Sequence, residues 1–263
     1  QSKLTMPVEF SVAAYRVGHA MVRSVYAVND NNLDVELFDE RFSTLGFTAV
    51  PEELVVDWRY LLPVDDRIQP RMSKGLNPML ANELQSLPVV SSNHASNKAL
   101  AFRNLLRGNV MSLPSGQAVA SKLHSCGYPV DANFNLQLDD PAALRGNRVT
   151  VEAWKSLDRL SDSGRSPLRE NTPLFYYILR ESQIRHDSQR LGPVGSAILM
   201  EVFGGMLKLC STSFVNRDWR PDPSVAKEGN FDYHQTIEWD DYYPFDLADV
   251  VRFVQPSSRS ASH

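Results

Sequence analysis

VEFSVAAYRVGHAMVRSVYAVN, residues Val8 to Asn29, is the stretch whose reading decides the fold. Val12, Tyr15, His19, Val22 and Tyr26 follow at steps of three, four, three and four, the spacing of one helical face. The pattern predicts one amphipathic helix with His19 in the middle of its apolar stripe. Arg16 lies one turn before His19, on nearly the same side. Pro7 suits the first helical position, and Glu9 places negative charge at the positive end of the helix dipole.

A neutral imidazole facing an apolar cleft, with a guanidinium one turn away, suits a metal held in a flat anionic cofactor. Haem meets that description: iron takes a nitrogen ligand, and propionates take a cation. The alternative is a core histidine whose ring is satisfied by ordinary hydrogen bonds.

A second constellation lies far along the chain. NKALAFRNLLRGNVMSLPSGQ, residues 97 to 117, reads as a helix with Leu100, Asn104 and Arg107 at i, i+4 and i+7. An amide and a guanidinium on one apolar face need partners. The Asn104 amide oxygen suits the Nδ1 proton of a metal-bound imidazole, and Arg107 suits a carboxylate. The bland alternative is a helix end with both groups in solvent.

Composition bounds the possibilities. The 263 residues are 43% hydrophobic and 22% charged, enough for a sizeable core in one large domain or two small ones. A net charge of -4 and a pI near 5.9 argue against a nucleic-acid partner. No apolar run has the length of a membrane span. Cys126 and Cys210 make either one disulfide or two buried thiols, and they offer no structural zinc site.

Helix signals dominate the rest, and the fold class expected is mainly α, with long loops and little β. Expected helices are PEELVVDWRYLL from Pro51, Ser96 to Arg107 closed by Gly108, LPSGQAVASKL from Pro114, TPLFYYILRESQIR from Thr172, GPVGSAILMEVFGGMLKL from Pro193, and DLADVVRFV capped by Asp246. The Pro193 helix is apolar nearly all round, which predicts a place at the domain centre, with Gly192, Gly195, Gly204 and Gly205 allowing close approach. Val89–Val90 and Val149 to Val151 are the only strand candidates. Loops are expected over Gly127 to Asn147, Leu160 to Asn171 and Ser211 to Pro244, and the Ser-rich tail from Pro256 to His263 reads as disordered.

YRVGH at positions 15 to 19, with RNLLRG and LPSGQ between positions 103 and 117, resembles the animal-type haem peroxidases, the peroxidase–cyclooxygenase superfamily, bacterial members included. VDWRYLL, FYYILRESQIR and RLGPVGSAILMEVFGGML look like the bacterial branch. The resemblance runs from about Pro7 to about Val254 and implies a haem-peroxidase-like helical domain over residues 1–255. It makes His19 the iron ligand, Arg16 a propionate partner, Asn104 the acceptor that orients His19, and Arg107 a second haem-side arginine.

In that family the distal histidine, the catalytic arginine and the haem-ester carboxylates precede the proximal helix, and a calcium loop is shared with that earlier part. Almost nothing precedes His19 here, and the chain opens on Gln1. The resemblance therefore implies the proximal, C-terminal portion of such an enzyme, trimmed or processed, with a second polypeptide carrying the distal half. Haem b is the implied cofactor, its covalent attachment and any calcium belonging to the other half. The implied activity is oxidation of a small-molecule electron donor, organic or halide, by hydrogen peroxide.

Two other functions stay open at this point. One is a fatty-acid dioxygenase on the same scaffold, which needs a radical-forming tyrosine such as Tyr15, Tyr176 or Tyr177. The other is a non-catalytic helical binding module without haem. His94, His124, His186 and His234 are poor substitutes for a distal histidine, since they fall in loops or at polar helix ends. Asp30-Asn31-Asn32-Leu33-Asp34 opens like a calcium loop but has Val35 sixth and Arg41 twelfth, so a solvated Asx turn is expected. GPVGS and LPSGQ lack the ending of a phosphate loop.

Overall fold

The computed structural model describes residues 5–42, 49–138, 171–217 and 247–254. The expected strand at Val149 to Val151, the Asp246 cap, His234, much of the expected loops and the tail from Pro256 lie outside the described residues. The described chain is mainly helical, as its composition and periodicity lead one to expect. No helix among the described residues is long and apolar enough to cross a membrane.

The chain forms two compact units: Gln1–Ser24 with Ser73–Ser213, and Val25–Met72 with Phe214–His263. In the first unit the expected single helix from Val8 is broken. It runs as α1 (Val8–Val12), a 3-10 turn (Ala14–Val17) and α2 (Gly18–Met21). Ala13, at φ -124° and ψ -70°, interrupts the α ladder, and Val22 has turned to extended backbone. Valine loses side-chain freedom in a helix and tolerates the extended state well, so the run Val22 to Val25 is a natural stop. Tyr15, expected on the buried stripe, is 64% exposed.

Next come α3 (Ala95–Lys98), α4 (Leu100–Val110), α5 (Gly116–Ser125), α6 (Leu174–His186) and α7 (Pro193–Leu209). Gly108 is not a helix stop; α4 continues through it to Val110. Pro114 does not open α5. Ser115 is its N-cap, its hydroxyl accepting the Ala118 N–H at 3.2 Å. Pro193 does stand in the first turn of α7. Val89–Val90 form no strand.

The helix buried on all sides is α6, not α7. Every residue from Leu174 to Ser182 is buried. Around it pack Phe10, Ala13, Ala14, Val17 and Ala20 from the His19 segment, Leu105 from α4, Val119 and Ala120 from α5, and Val194, Ile198 and Val202 from α7. The C-terminal half of α7 instead leaves Met200, Phe203, Met206 and Leu209 open to solvent. Gly116 is required where α5 meets α6: a Cβ there would stand 2.1 Å from Cγ of Tyr177. Gly195 approaches Ile178 in the same way, while a Cβ on Gly204 would meet nothing.

Two charged residues of α6, Arg180 and Glu181, are buried. Arg180 donates through Nε to the Leu136 carbonyl at 3.1 Å and through Nη1 to Gln183 Oε1 at 2.6 Å. Glu181 Oε2 accepts the Val194 N–H at 3.0 Å, in the first turn of α7, and Gly192 leaves room for its side chain. Its Oε1 has no hydrogen bond among the described residues; Arg185 Nε stands 3.9 Å away.

The second unit holds β1 (Val25–Tyr26) and β2 (Val35–Glu36), an antiparallel pair with Tyr26 opposite Val35. The expected Asx turn joins them. Asn29 Oδ1 accepts from the Asn31 N–H and Asn32 Nδ2, both at 3.1 Å. PEELVVDWRYLL is not one helix but two 3-10 turns, Glu52–Leu54 and Trp58–Tyr60. The β-branched pair Val55–Val56 separates them, and Asp57 caps the second by accepting the Arg59 N–H at 3.0 Å. This unit also contains α8 (Phe214–Arg217) and α9 (Leu247–Val254); Arg252 of α9 donates to the Val64 carbonyl at 2.8 Å. Cys126 and Cys210 are not disulfide-bonded, and both are exposed rather than buried.

Burial pushes the Glu181 carboxyl up to about 7, against the opposing pull of the Val194 N–H and Arg185. The native state therefore holds this proton more tightly than the unfolded chain does, and stability falls as pH rises between about 4.5 and about 7. At 1.36 kcal/mol per pKa unit the upper limit of the loss is about 3 kcal/mol. Glu181→Gln keeps an acceptor for Val194 and removes that part of the slope. Urea unfolding of both proteins at pH 5 and pH 8 measures it; parallel slopes refute the assignment.

Candidate functional site

Arg16, His19, Asn104 and Arg107 all belong to the first unit. The 3-10 turn carries Arg16, α2 carries His19, and α4 carries Asn104 and Arg107 one turn apart. Ala13, Ala14 and Ala20, all with no exposed surface, seat the His19 segment closely on the core. Leu105 buries the adjoining face of α4, which turns Asn104 inward until only 1% of it is exposed.

The chain thereby joins groups 85 and 88 positions apart. Asn104 Nδ2 lies 3.0 Å from His19 Nδ1, and Arg16 Nη1 donates to Asn104 Oδ1 at 3.0 Å. Arg16 Nε also reaches the Ser11 carbonyl, at 3.3 Å. The expected pairing of Asn104 with His19 is present, but with the other end of the amide. The sequence reading gave the oxygen to His19. Arg16 takes that oxygen, because a guanidinium has only donors and can face nothing else on an amide.

His19 is half-buried, and its pKa is lowered by burial, then by Arg16, with the Asn104 contact opposing. The ring is therefore neutral at pH 7. Arg16 also has a lowered pKa, through burial and then through the charge of Arg107. Neither arginine has a carboxylate partner among the described residues. Arg107 is exposed at the end of this row. Two cations thus share a neighbourhood with no compensating anion among the described residues, beside a neutral nitrogen base.

This donor set fits haem. It would offer one imidazole to a metal and two guanidiniums to acid side chains, and among the described residues no thiolate or carboxylate is paired with it. No group of three or more His, Cys, Asp or Glu residues able to hold a bare metal ion occurs among the described residues.

Other candidates do not converge on His19. His94 and His124 are exposed and His186 is half-buried at the end of α6; His124, in the last turn of α5 rather than in a loop, hydrogen-bonds through Nδ1 to the Val130 carbonyl at 2.9 Å. Tyr15 is exposed, whereas Tyr176 and Tyr177 are buried in α6. An apolar groove of about 350 Å³ lies elsewhere, between Pro7, Pro114, Val119, Leu123 and Ile198. Sequence reading missed Glu181; its one signal was Arg185 four residues on, a pairing that also marks an ordinary surface helix.

No protein-family model, no curated protein and no solved structure matches the chain.

Asn104→Ala removes the group that partners both Arg16 and His19. We expect a loss of about 1–3 kcal/mol in folding free energy, the usual cost of a buried polar contact left unmade. Chemical denaturation at pH 7 measures it, and a change within a few tenths of a kcal/mol would show that the amide is not engaged in solution.

Proposed function

We propose that this chain is the proximal portion of a haem peroxidase of the animal type, in its bacterial-like branch, and that it binds haem b through Nε2 of His19. The observation that carries the reading is the Arg16–Asn104–His19 hydrogen-bonded row, assembled from segments some 85 residues apart at the positions the family motif singles out. Arg16 and Arg107, two guanidiniums without carboxylate partners among the described residues, hold the propionates.

Haem supplies the iron that reacts with peroxide, and the residues of this chain set its environment. Burial keeps His19 neutral at working pH, so its ring offers a lone pair without first losing a charge-bearing proton. Asn104 orients the ring through a neutral amide. With its oxygen turned to an Nδ1 proton, such a partner would draw less proton density from the ring than a carboxylate, leaving little imidazolate character and a less disfavoured ferrous state. The proton transfers on the peroxide side belong to a second polypeptide in this proposal. The complete assembly oxidises a small organic donor or a halide.

Two measurements test the reading. Ferric haem added to the full chain gives a Soret band that His19→Ala abolishes while its far-ultraviolet circular dichroism stays unchanged. Equal haem uptake by both proteins, or none by either, overturns it. Asn104→Asp lowers the reduction potential of the bound haem, because a carboxylate strengthens imidazolate character; an unchanged or raised potential rejects the tuning role of the amide.

A further inference from the structure

Three facts at the site bear on which nitrogen of His19 is free. Arg16 Nη1 lies 3.0 Å from Asn104 Oδ1. Asn104 Nδ2 lies 3.0 Å from His19 Nδ1. Neither Arg16 nor Arg107 has a carboxylate partner among the described residues, and the charge of Arg107 reaches Arg16. The first fact fixes the second: a guanidinium only donates, so the amide oxygen must face it, and the amide N–H groups are left for the imidazole. Nδ1 must then accept. A neutral imidazole carries one proton, so here it sits on Nε2, and that nitrogen has no lone pair to give to a metal.

We propose that Asn104 is a positioning residue that couples anion binding at Arg16 and Arg107 to the metal-binding competence of His19. When carboxylates occupy the two guanidiniums, Arg16 releases the amide oxygen. The amide turns about its Cβ–Cγ bond, Oδ1 accepts from Nδ1–H, and the amide N–H groups face the bound carboxylate. The imidazole proton leaves Nε2 for solvent and another is taken up at Nδ1, with no net change in charge. His19 is half-buried, so solvent reaches the ring for this exchange. The ligand class selected is one that presents a metal and carboxylates together on a flat ring. This coupling rests on the haem reading above and adds to it an order of events: acid side chains engage first, and the nitrogen becomes a ligand second.

The test reads the tautomer by nitrogen-15 NMR of the full chain at pH 7.5, with the His19 signals assigned by their loss in His19→Gln. In the chain alone the expected protonated nitrogen is Nε2; a proton on Nδ1 overturns the coupling. Metal-free protoporphyrin IX, which brings carboxylates and no iron, moves the proton to Nδ1, whereas its dimethyl ester leaves the tautomer as it was. Binding of the diacid with Nε2 still protonated overturns the coupling and leaves the haem reading standing. A switch driven equally by the ester also overturns it. Failure of any porphyrin to bind overturns the haem reading and the coupling with it. Two variants complete the set. Arg16→Met frees the amide and should place the proton on Nδ1 without any porphyrin. Asn104→Asp accepts from Arg16 and from Nδ1–H together and should do the same. The wild-type tautomer in both variants overturns the proposal.

Discussion

Helix α6 has no solvent face from Leu174 to Ser182, and the rest of the first unit is arranged to cover it. That constraint sets the neighbours. Small residues are needed wherever another backbone comes close, so Gly116 lies under the Tyr177 ring and Gly195 beside Ile178. Apolar side chains close the remaining surface, at roughly 25 cal/mol for each Å² taken from water. The two charged residues inside this run are tolerated because each has an acceptor or donor supplied by another element: the Leu136 carbonyl for Arg180, the Val194 N–H for Glu181. The segment with His19 and the helix with Asn104 both pack on α6, and their meeting is a consequence of that shared support.

The site was legible in part. The spacing of Arg16 and His19, and of Asn104 and Arg107, placed each pair on one face, and the family resemblance joined the pairs across the intervening chain. Residue types alone could not say which end of the Asn104 amide meets the ring. A third group decides that, and the competition of Arg16 for the oxygen is visible only once distances are known. Glu181 was hidden for a similar reason. Glutamate followed by arginine four residues later is what a solvated helix shows, and only the packing of α7 across it reveals a buried acid.

The fold was legible in its class and less so in its details. Pro193 marks a real helix start because its effect is local, whereas α5 starts after the Ser115 cap and not at Pro114. Val8 to Asn29 satisfied a helical period yet broke at Ala13, for which residue type gives no reason, and stopped at Val22, since periodicity counts faces and ignores the extended preference of valine. The choice of central helix failed through hydrophobicity itself. The most apolar segment, α7, buries only one face, through Val194, Ile198 and Val202, whereas α6 carries Arg180 and Glu181 into the interior. Mean apolarity measures what a helix can afford to bury; its position depends on what other elements bring to satisfy it.

The alanines flanking the imidazole carry a consequence for redesign. Ala13, Ala14 and Ala20 have no exposed surface and nothing longer than a methyl group. Phe10, Val12 and Val17 make the longer contacts of the segment, and the three alanines mark where it has least room to grow. A single added methylene at any of the three would tilt the whole segment as a lever. Directed evolution of the His19 position would find its gradations at these three positions, in steps of one carbon.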